Sequence, residues 1–125
     1  MQFRDHLPLN CPPPDANHSV TDVYCLVDSD PPTSKDFLSQ IEKRPTFKTE
    51  LVCQACGLSV FTDIAGTQLA RLVSRSLRNK KLAKGNLSKS SGKIKNTPSQ
   101  NTGDTHHTWW VNRDIDPSSL FKVLP

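Results

Sequence analysis

The chain has no long hydrophobic run: none of its apolar stretches approaches the roughly 20 residues that a membrane-spanning helix requires. Its N-terminus carries Arg4, Asp5 and Pro8 where a signal peptide would hold an apolar segment, so a cytoplasmic location and no membrane partner are expected. Apolar residues supply only 34% of the chain and aromatic residues 6%, which at this length suits one domain and leaves no room for a second. No P-loop, helix-turn-helix or RNA-recognition signature is present. Glutamate is missing after Glu50, and neither carboxylate occurs between Arg71 and Lys95.

That last absence is the most informative. Nine lysines and arginines fall in the interval, leaving seven basic and twelve acidic residues elsewhere, so the net charge of +4 conceals a local positive field. Ordinary solvated faces mix signs, whereas a single-signed patch concentrates anions at one surface. Arg71, Arg75 and Arg78, spaced by four and three, are expected in a row along one helix. Lys80, Lys81, Lys84, Lys89, Lys93 and Lys95 follow them. A nucleic acid or another polyanion is the first partner class to consider, and an acidic protein the second.

The 125 residues make one small domain, and the sequence predicts the α+β class: a mainly antiparallel sheet of about five short strands with one short and one longer amphipathic helix on a face. Residues 1–19, with Pro8 and the run Pro12 to Pro14, read as an extended Pro-rich arm, and 20–125 as the folded domain. Val20 to Val27 reads as the first strand, and Lys35 to Lys43 as a short helix stopped by Pro45. Leu51 to Phe61 is the longest apolar stretch and reads as a buried strand or strand pair. Asp63 or Thr67 opens the main helix, whose stripe of Leu69, Leu72, Val73, Ser76 and Leu77 is expected to face the sheet, with the arginines facing solvent. Lys80 to Lys84 reads as the helix exit, and Leu87 to Lys95 as a hairpin or loop turning at Ser90-Ser91-Gly92. The polar segment 96–105 reads as a flexible loop; His106 to Val111 and Leu120 to Leu124 read as strands.

Two motifs could carry chemistry. Cys53-x-x-Cys56-Gly57 resembles the zinc knuckle of small zinc-ribbon proteins, in which the glycine permits the turn between ligands. No second Cys-x-x-Cys exists, so zinc would need His106, His107, Cys25 or Cys11 as further ligands. Without an export signal the four cysteines are expected as thiols or metal ligands. The bland reading is that Cys53 and Cys56 are small buried residues.

The second motif is Asp104-Thr105-His106-His107-Thr108-Trp109-Trp110. His106-x-Thr108 is similar to one half of the catalytic pair of two-histidine phosphoesterases, and no second such triplet occurs. An enzyme acting on a nucleotide or phosphodiester would use His106 or His107 as acid/base and the basic patch as clamp, and the residues also offer Cys56 as nucleophile, His106 or His107 as base and Asp104 as orienting group. Adjacent tryptophans on a strand point to opposite faces, so Trp109 or Trp110 could stack on a base; the bland reading packs both, one beneath the Pro-rich arm. A strand of Val23-Tyr-x-Leu-Val type with a later Gly57-Leu-Ser-Val-Phe is also similar to small ADP-ribosyltransferases. Cys25 stands where that family would place an Arg or His, and the catalytic glutamate has no counterpart after Glu50, so the resemblance implies the fold without the activity.

Overall fold

Residues 1–4, 7–18, 21–43 and 51–125 are described by a computed structural model. Val20 and Pro45, to which strand and helix-stop roles are assigned above, and Thr46 to Glu50, where the strand signal running to Phe61 begins in the sequence, lie outside the described residues. The described strands are β1 (Asn17–His18), β2 (Thr21–Val27), β3 (Leu58–Phe61), β4 (Lys81–Leu87), β5 (Gly92–Asn96), β6 (His106–Val111) and β7 (Phe121–Val123). They form one antiparallel sheet in the order β1-β5-β6-β3-β2-β4-β7. The α-helices are α1 (Gln40–Lys43), α2 (Val52–Ala55) and α3 (Ile64–Val73). The expectation of about five strands with a long amphipathic helix is therefore corrected to seven strands and one helix of ten residues.

The alternation of side chains along each strand builds two cores, one on each face. Val23, Cys25 and Val27 of β2 point one way, with Leu58 and Val60 of β3, Ala83 and Leu87 of β4, Trp109 and Phe121. Phe37 from the turn Ser34–Phe37 closes this side, with its ring centroid 5.2 Å from that of Phe121. Tyr24, Phe61, His106, Thr108 and Trp110 point the other way, since register partners share a face. α3 packs over β2 and β3. Trp110 is covered by Ala16, Cys56, Phe3, Leu7, Cys11, Val52 and Cys53, so the Pro-rich arm and α2 form a lid over that end of the sheet.

Several departures from the sequence reading have identifiable causes. Leu51 to Phe61 is not one strand: Val52–Ala55 is a helical turn, and only Leu58–Phe61 is extended. A continuous apolar run satisfies both periods, and contacts distant in sequence decide between them. Here Cys53 is disulfide-bonded to Cys11, and its carbonyl accepts the Trp110 indole N–H at 2.8 Å. Gly57 must follow without a side chain, because a Cβ there would lie 2.3 Å from Thr108 Cγ2.

α3 begins at Asp63, whose side chain accepts the Gly66 N–H at 2.8 Å, and it ends at Ser74 in extended backbone. Its buried face is the reverse of the expected one. Gly66, Thr67 and Ala70 turn inward, while Leu72 is 77% exposed and Ile64, Leu69 and Val73 are also exposed. The helix approaches too closely for leucines: a Cβ on Gly66 would lie 2.4 Å from Thr105 Oγ1 and 2.7 Å from Phe61 Cδ1.

Lys81–Leu87 is a strand rather than a helix exit. Its alternation buries Ala83, Gly85 and Leu87, and it pairs with β2 over its whole length. The turn at Lys89–Ser91 is present, but no hairpin forms. β4 joins β2 and β7, while β5 joins β1 and β6, so the turn carries the chain from one part of the sheet to the other.

Candidate functional site

The sheet is weakest at its middle. β2 follows β4 from Thr21↔Leu87 to Val27↔Lys81, and β3 follows β6 from Leu58↔Trp109 to Phe61↔His106, yet β2 and β3 meet only at Tyr24↔Phe61. Beyond that pair the strands diverge and leave a cleft of about 680 Å³. Cys25 and Leu26 line one wall, Leu58, Ser59 and Val60 the other, and His106, Arg75 and Lys80 also reach it. A hollow of about 710 Å³ at Thr21, Asp22, Asn86 and Lys89 brings no imidazole or thiol together.

His106 is buried in this wall, edge-on to Phe61 with ring centroids 5.4 Å apart. Its Nδ1 lies 2.7 Å from the Thr97 carbonyl oxygen, and its Nε2 lies 3.0 Å from Ser59 Oγ. A carbonyl can only accept, so the ring proton sits on Nδ1 and the bare Nε2 accepts from the Ser59 hydroxyl. Thr97 Oγ1 completes a small network, 3.0 Å from Nδ1 and 2.8 Å from Thr108 Oγ1. Ser59 itself is exposed. The arrangement is a hydroxyl in an open cleft, bonded to a neutral imidazole whose tautomer is fixed from behind.

Burial lowers the His106 pKa below its ordinary 6.5; the Thr97 carbonyl opposes the shift and the neighbouring His107 adds to it. Since the folded value lies below the unfolded one, the unfolded chain binds the extra proton first as the pH falls. The stabilising contribution is present above about pH 6.5 and is lost as pH falls through the lowered value. Urea midpoints are therefore expected to drop on acidification from pH 7 in the parent, and the drop should shrink in His106→Gln. An equal drop in both proteins would remove His106 from that account.

The other sequence-predicted residues fall as follows. His107 points to the opposite face, with Nδ1 at 2.8 Å from the Thr105 carbonyl, so the two histidines do not share a site. Asp104 is exposed and, among the described residues, its carboxylate bonds neither imidazole; Thr97 holds the orienting place instead. The zinc reading of Cys53, Cys56, His106 and His107 is corrected: the Cys53 sulfur is bonded to Cys11, Cys56 is buried, and both nitrogens of His106 have protein partners. Among the described residues no group of three His, Cys, Asp or Glu could hold a metal ion. The Cys25 thiol is pushed up to about 12 by burial, with Asp36 adding and Lys80 opposing, which makes it a poor nucleophile at neutral pH. The Cys11–Cys53 bridge also overturns the expectation that all four cysteines are thiols or metal ligands. No helix among the described residues is long and apolar enough to cross a membrane.

No protein-family model, curated protein or solved structure matches the chain.

Function has therefore to be argued from the chain's own residues, the basic run included. α3 ends before Arg75, which opens the short turn Arg75–Leu77, so the three arginines do not line one helix. Arg71 is half-buried, its guanidinium donating to the Lys80 carbonyl and to Gln68 Oε1, which makes it a strut between α3 and β4. β4 then spans about 20 Å at 3.3 Å per residue and separates the Arg75 to Lys81 cluster from Lys89, Lys93 and Lys95. Three lysines are matched by acids from elsewhere in the chain: Lys80 with Asp28 at 3.1 Å, Lys84 with Asp22 at 3.9 Å, and Lys95 with Asp15 at 3.0 Å. Arg75 and Arg78 are exposed and have no carboxylate partner among the described residues. Trp109 is fully buried and has no face to offer a base. Trp110 is buried beneath the arm. Sequence reasoning missed Ser59, whose only signal was an isolated polar residue within Leu58-Ser-Val-Phe61.

Proposed function

We propose that the protein binds nucleic acid or another polyanion through the Arg75 to Lys81 end of its basic run. The observation that carries this reading is the exposure of Arg75 and Arg78 without carboxylate partners among the described residues, inside a 25-residue interval that has no acidic residue of its own. Lys81 adds to them, since its ammonium donates to the backbone carbonyl of Asp28 and keeps its charge uncompensated there. Lys80 contributes less because Asp28 offsets it, and Lys84 less because Asp22 lies beside it. The contact is with phosphate rather than base, so binding is sequence-tolerant and weakens steeply with salt.

Titration of labelled single-stranded and double-stranded DNA and RNA across a salt series tests the reading. Micromolar binding at low salt is expected, and Arg75→Glu with Arg78→Glu should weaken it at least tenfold and flatten the salt slope by about two. Reversing Lys89 and Lys93, at the far end of β4, should cost less. Unchanged affinity in the Arg75/Arg78 variant would sink the proposal.

A second reading is an interaction subunit for an acidic protein. It is favoured by the exposed Ile64, Leu69, Leu72 and Val73 of α3 beside Arg75 and Arg78, which together offer an apolar surface with a basic border. Absence of nucleic-acid binding at low salt, with the arginine pair still required for association in cell extract, would favour this reading over the first.

A further inference from the structure

The polyanion reading leaves the Ser59 and His106 pair unused, and we propose that it is a nucleophilic site for carboxylic esters, with Ser59 as nucleophile and His106 as general base. Three observations converge. Ser59 is exposed in a cleft of about 680 Å³. Its Oγ lies 3.0 Å from His106 Nε2, within the reach needed for direct proton transfer. The opposite ring nitrogen is held at 2.7 Å by the Thr97 carbonyl, which fixes the reactive tautomer and would accept the charge-assisted bond of the imidazolium.

The open junction of the sheet supplies a fourth element. In an antiparallel ladder, alternate residues direct their N–H and C=O to alternate neighbours. Thr62 donates to the Thr105 carbonyl on the β6 side, so Val60 and Leu58 share that side, while Phe61 and Ser59 face β2. Phe61 is paired with Tyr24, and no β2 residue pairs with Ser59. The Ser59 backbone N–H therefore sits at the cleft, beside its own hydroxyl, as a donor for an oxygen that becomes negative during attack.

The step balances without a cofactor. Ser59 Oγ attacks the ester carbonyl carbon while its proton passes to His106 Nε2, and the carbonyl electron pair moves to oxygen. Collapse of this oxyanion breaks the bond to the alkoxide, which leaves as an alcohol with the proton from Nε2. The acyl group remains on Ser59 until a water molecule, giving its proton to Nε2, attacks the same carbonyl and releases the acid with Ser59 restored. Water is the only co-reactant.

An ester suits the site better than a phosphodiester. Charge develops on one oxygen in acyl transfer, for which one N–H donor and a neutral base suffice. Phosphoryl transfer spreads charge over several oxygens and calls for a cationic clamp. Of the cations lining the cleft, Lys80 is tied to Asp28, which leaves Lys43 and Arg75, and a cation there would favour an ester carrying a further carboxylate.

The test uses the full chain, a fluorophosphonate probe, and the 4-nitrophenyl monoesters of acetic and succinic acids. One probe adduct per chain is expected, mapping to Ser59 and absent in Ser59→Ala; that change takes the donor from the buried His106 Nε2, so the urea midpoint should fall while the protein stays folded at zero denaturant. Ester turnover should fall at least about a hundredfold in Ser59→Ala. Arg75→Ala should lower the succinate-to-acetate rate ratio by about tenfold, the order of one charged contact. If the folded parent takes no adduct, or takes it on another residue, or if Ser59→Ala hydrolyses both esters at the parental rate, the site is structural and the hydroxyl serves only to satisfy the buried imidazole. None of these outcomes depends on whether Arg75 and Arg78 bind nucleic acid.

Discussion

Trp109→Ala is expected to lower the unfolding free energy by about 3–5 kcal/mol, the largest effect of any single truncation in the sheet. The side chain is 0% exposed and lies in the main core with Leu58, Ile94 and Val111, its ring centroid 6.1 Å from that of Phe121. Its indole N–H donates to the Ser91 carbonyl at 3.1 Å, so alanine leaves a cavity and removes one of the two hydrogen bonds that this carbonyl accepts, the other coming from the Asn112 N–H at 3.0 Å. A domain with about 5–15 kcal/mol of stability loses a large part of it. Trp109→Phe keeps most of the packing and should cost markedly less. Urea unfolding measures both, and a loss below about 1 kcal/mol for Trp109→Ala would contradict the placement of this side chain at the centre of the sheet. The same variant separates burial from ligand stacking. If Trp109 stacked on bases, its removal would weaken nucleic-acid binding in the fraction still folded, whereas no change in that fraction is expected here.

Gly92→Ala should be nearly as damaging, at about 3 kcal/mol or more, for a different reason. Gly92 opens β5 at φ +135°, a backbone region that side chains rarely adopt, and a Cβ there would fall 2.1 Å from the Trp110 carbonyl oxygen and 3.1 Å from the Asn112 nitrogen. These obstacles are backbone atoms of β6 and the residue after it, which cannot yield without moving the strand that carries His106 and both tryptophans. Gly103→Ala is the matched control. That glycine also has positive φ, +81°, but its Cβ would meet only the Leu69 Cδ2 methyl, at 2.9 Å, and a flexible exposed side chain can move away. A cost of about 1 kcal/mol is expected there. Equal losses for the two variants would mean that positive φ alone matters, and that the close approach of β5 to β6 has been misplaced.

The basic run and the His106 network behave differently as functional signals because one belongs to the sequence and the other to the fold. A carboxylate-free interval is a property of consecutive residues, so its charge is fixed wherever the chain goes. How much of that charge remains available depends on which acids come to meet it, and Asp28, Asp22 and Asp15 arrive from 52, 62 and 80 residues away. The pairs with Asp28 and Asp22 are consequences of the alignment of β2 with β4, which no local pattern encodes. Arg75 and Arg78, at a turn beyond the end of that ladder, stay unmatched among the described residues.

By itself the sequence determined the elements whose signal is local. These are the strand of alternating Val23, Cys25 and Val27, the strand from His106 to Val111, the final strand at Phe121, a helix start at one of Asp63 and Thr67, and the positive charge between Arg71 and Lys95. Tertiary structure decided whatever depended on a neighbour's shape. Close approach to Phe61 and Thr105 selected the small residues of α3 as its buried face and left Leu72 outside, against the hydrophobic stripe. The Cys11 bridge and the Trp110 indole turned an apolar run into a helical turn, and β1 was recruited at Asn17–His18 by the edge of β5 with no strand propensity to announce it. The Ser59 and His106 pair joins residues 47 positions apart across a ladder whose register is set by the whole core. Local propensity is worth tenths of a kcal/mol per residue, whereas burial of an aromatic side chain or relief of a close backbone contact is worth several, so tertiary packing prevails wherever the two disagree.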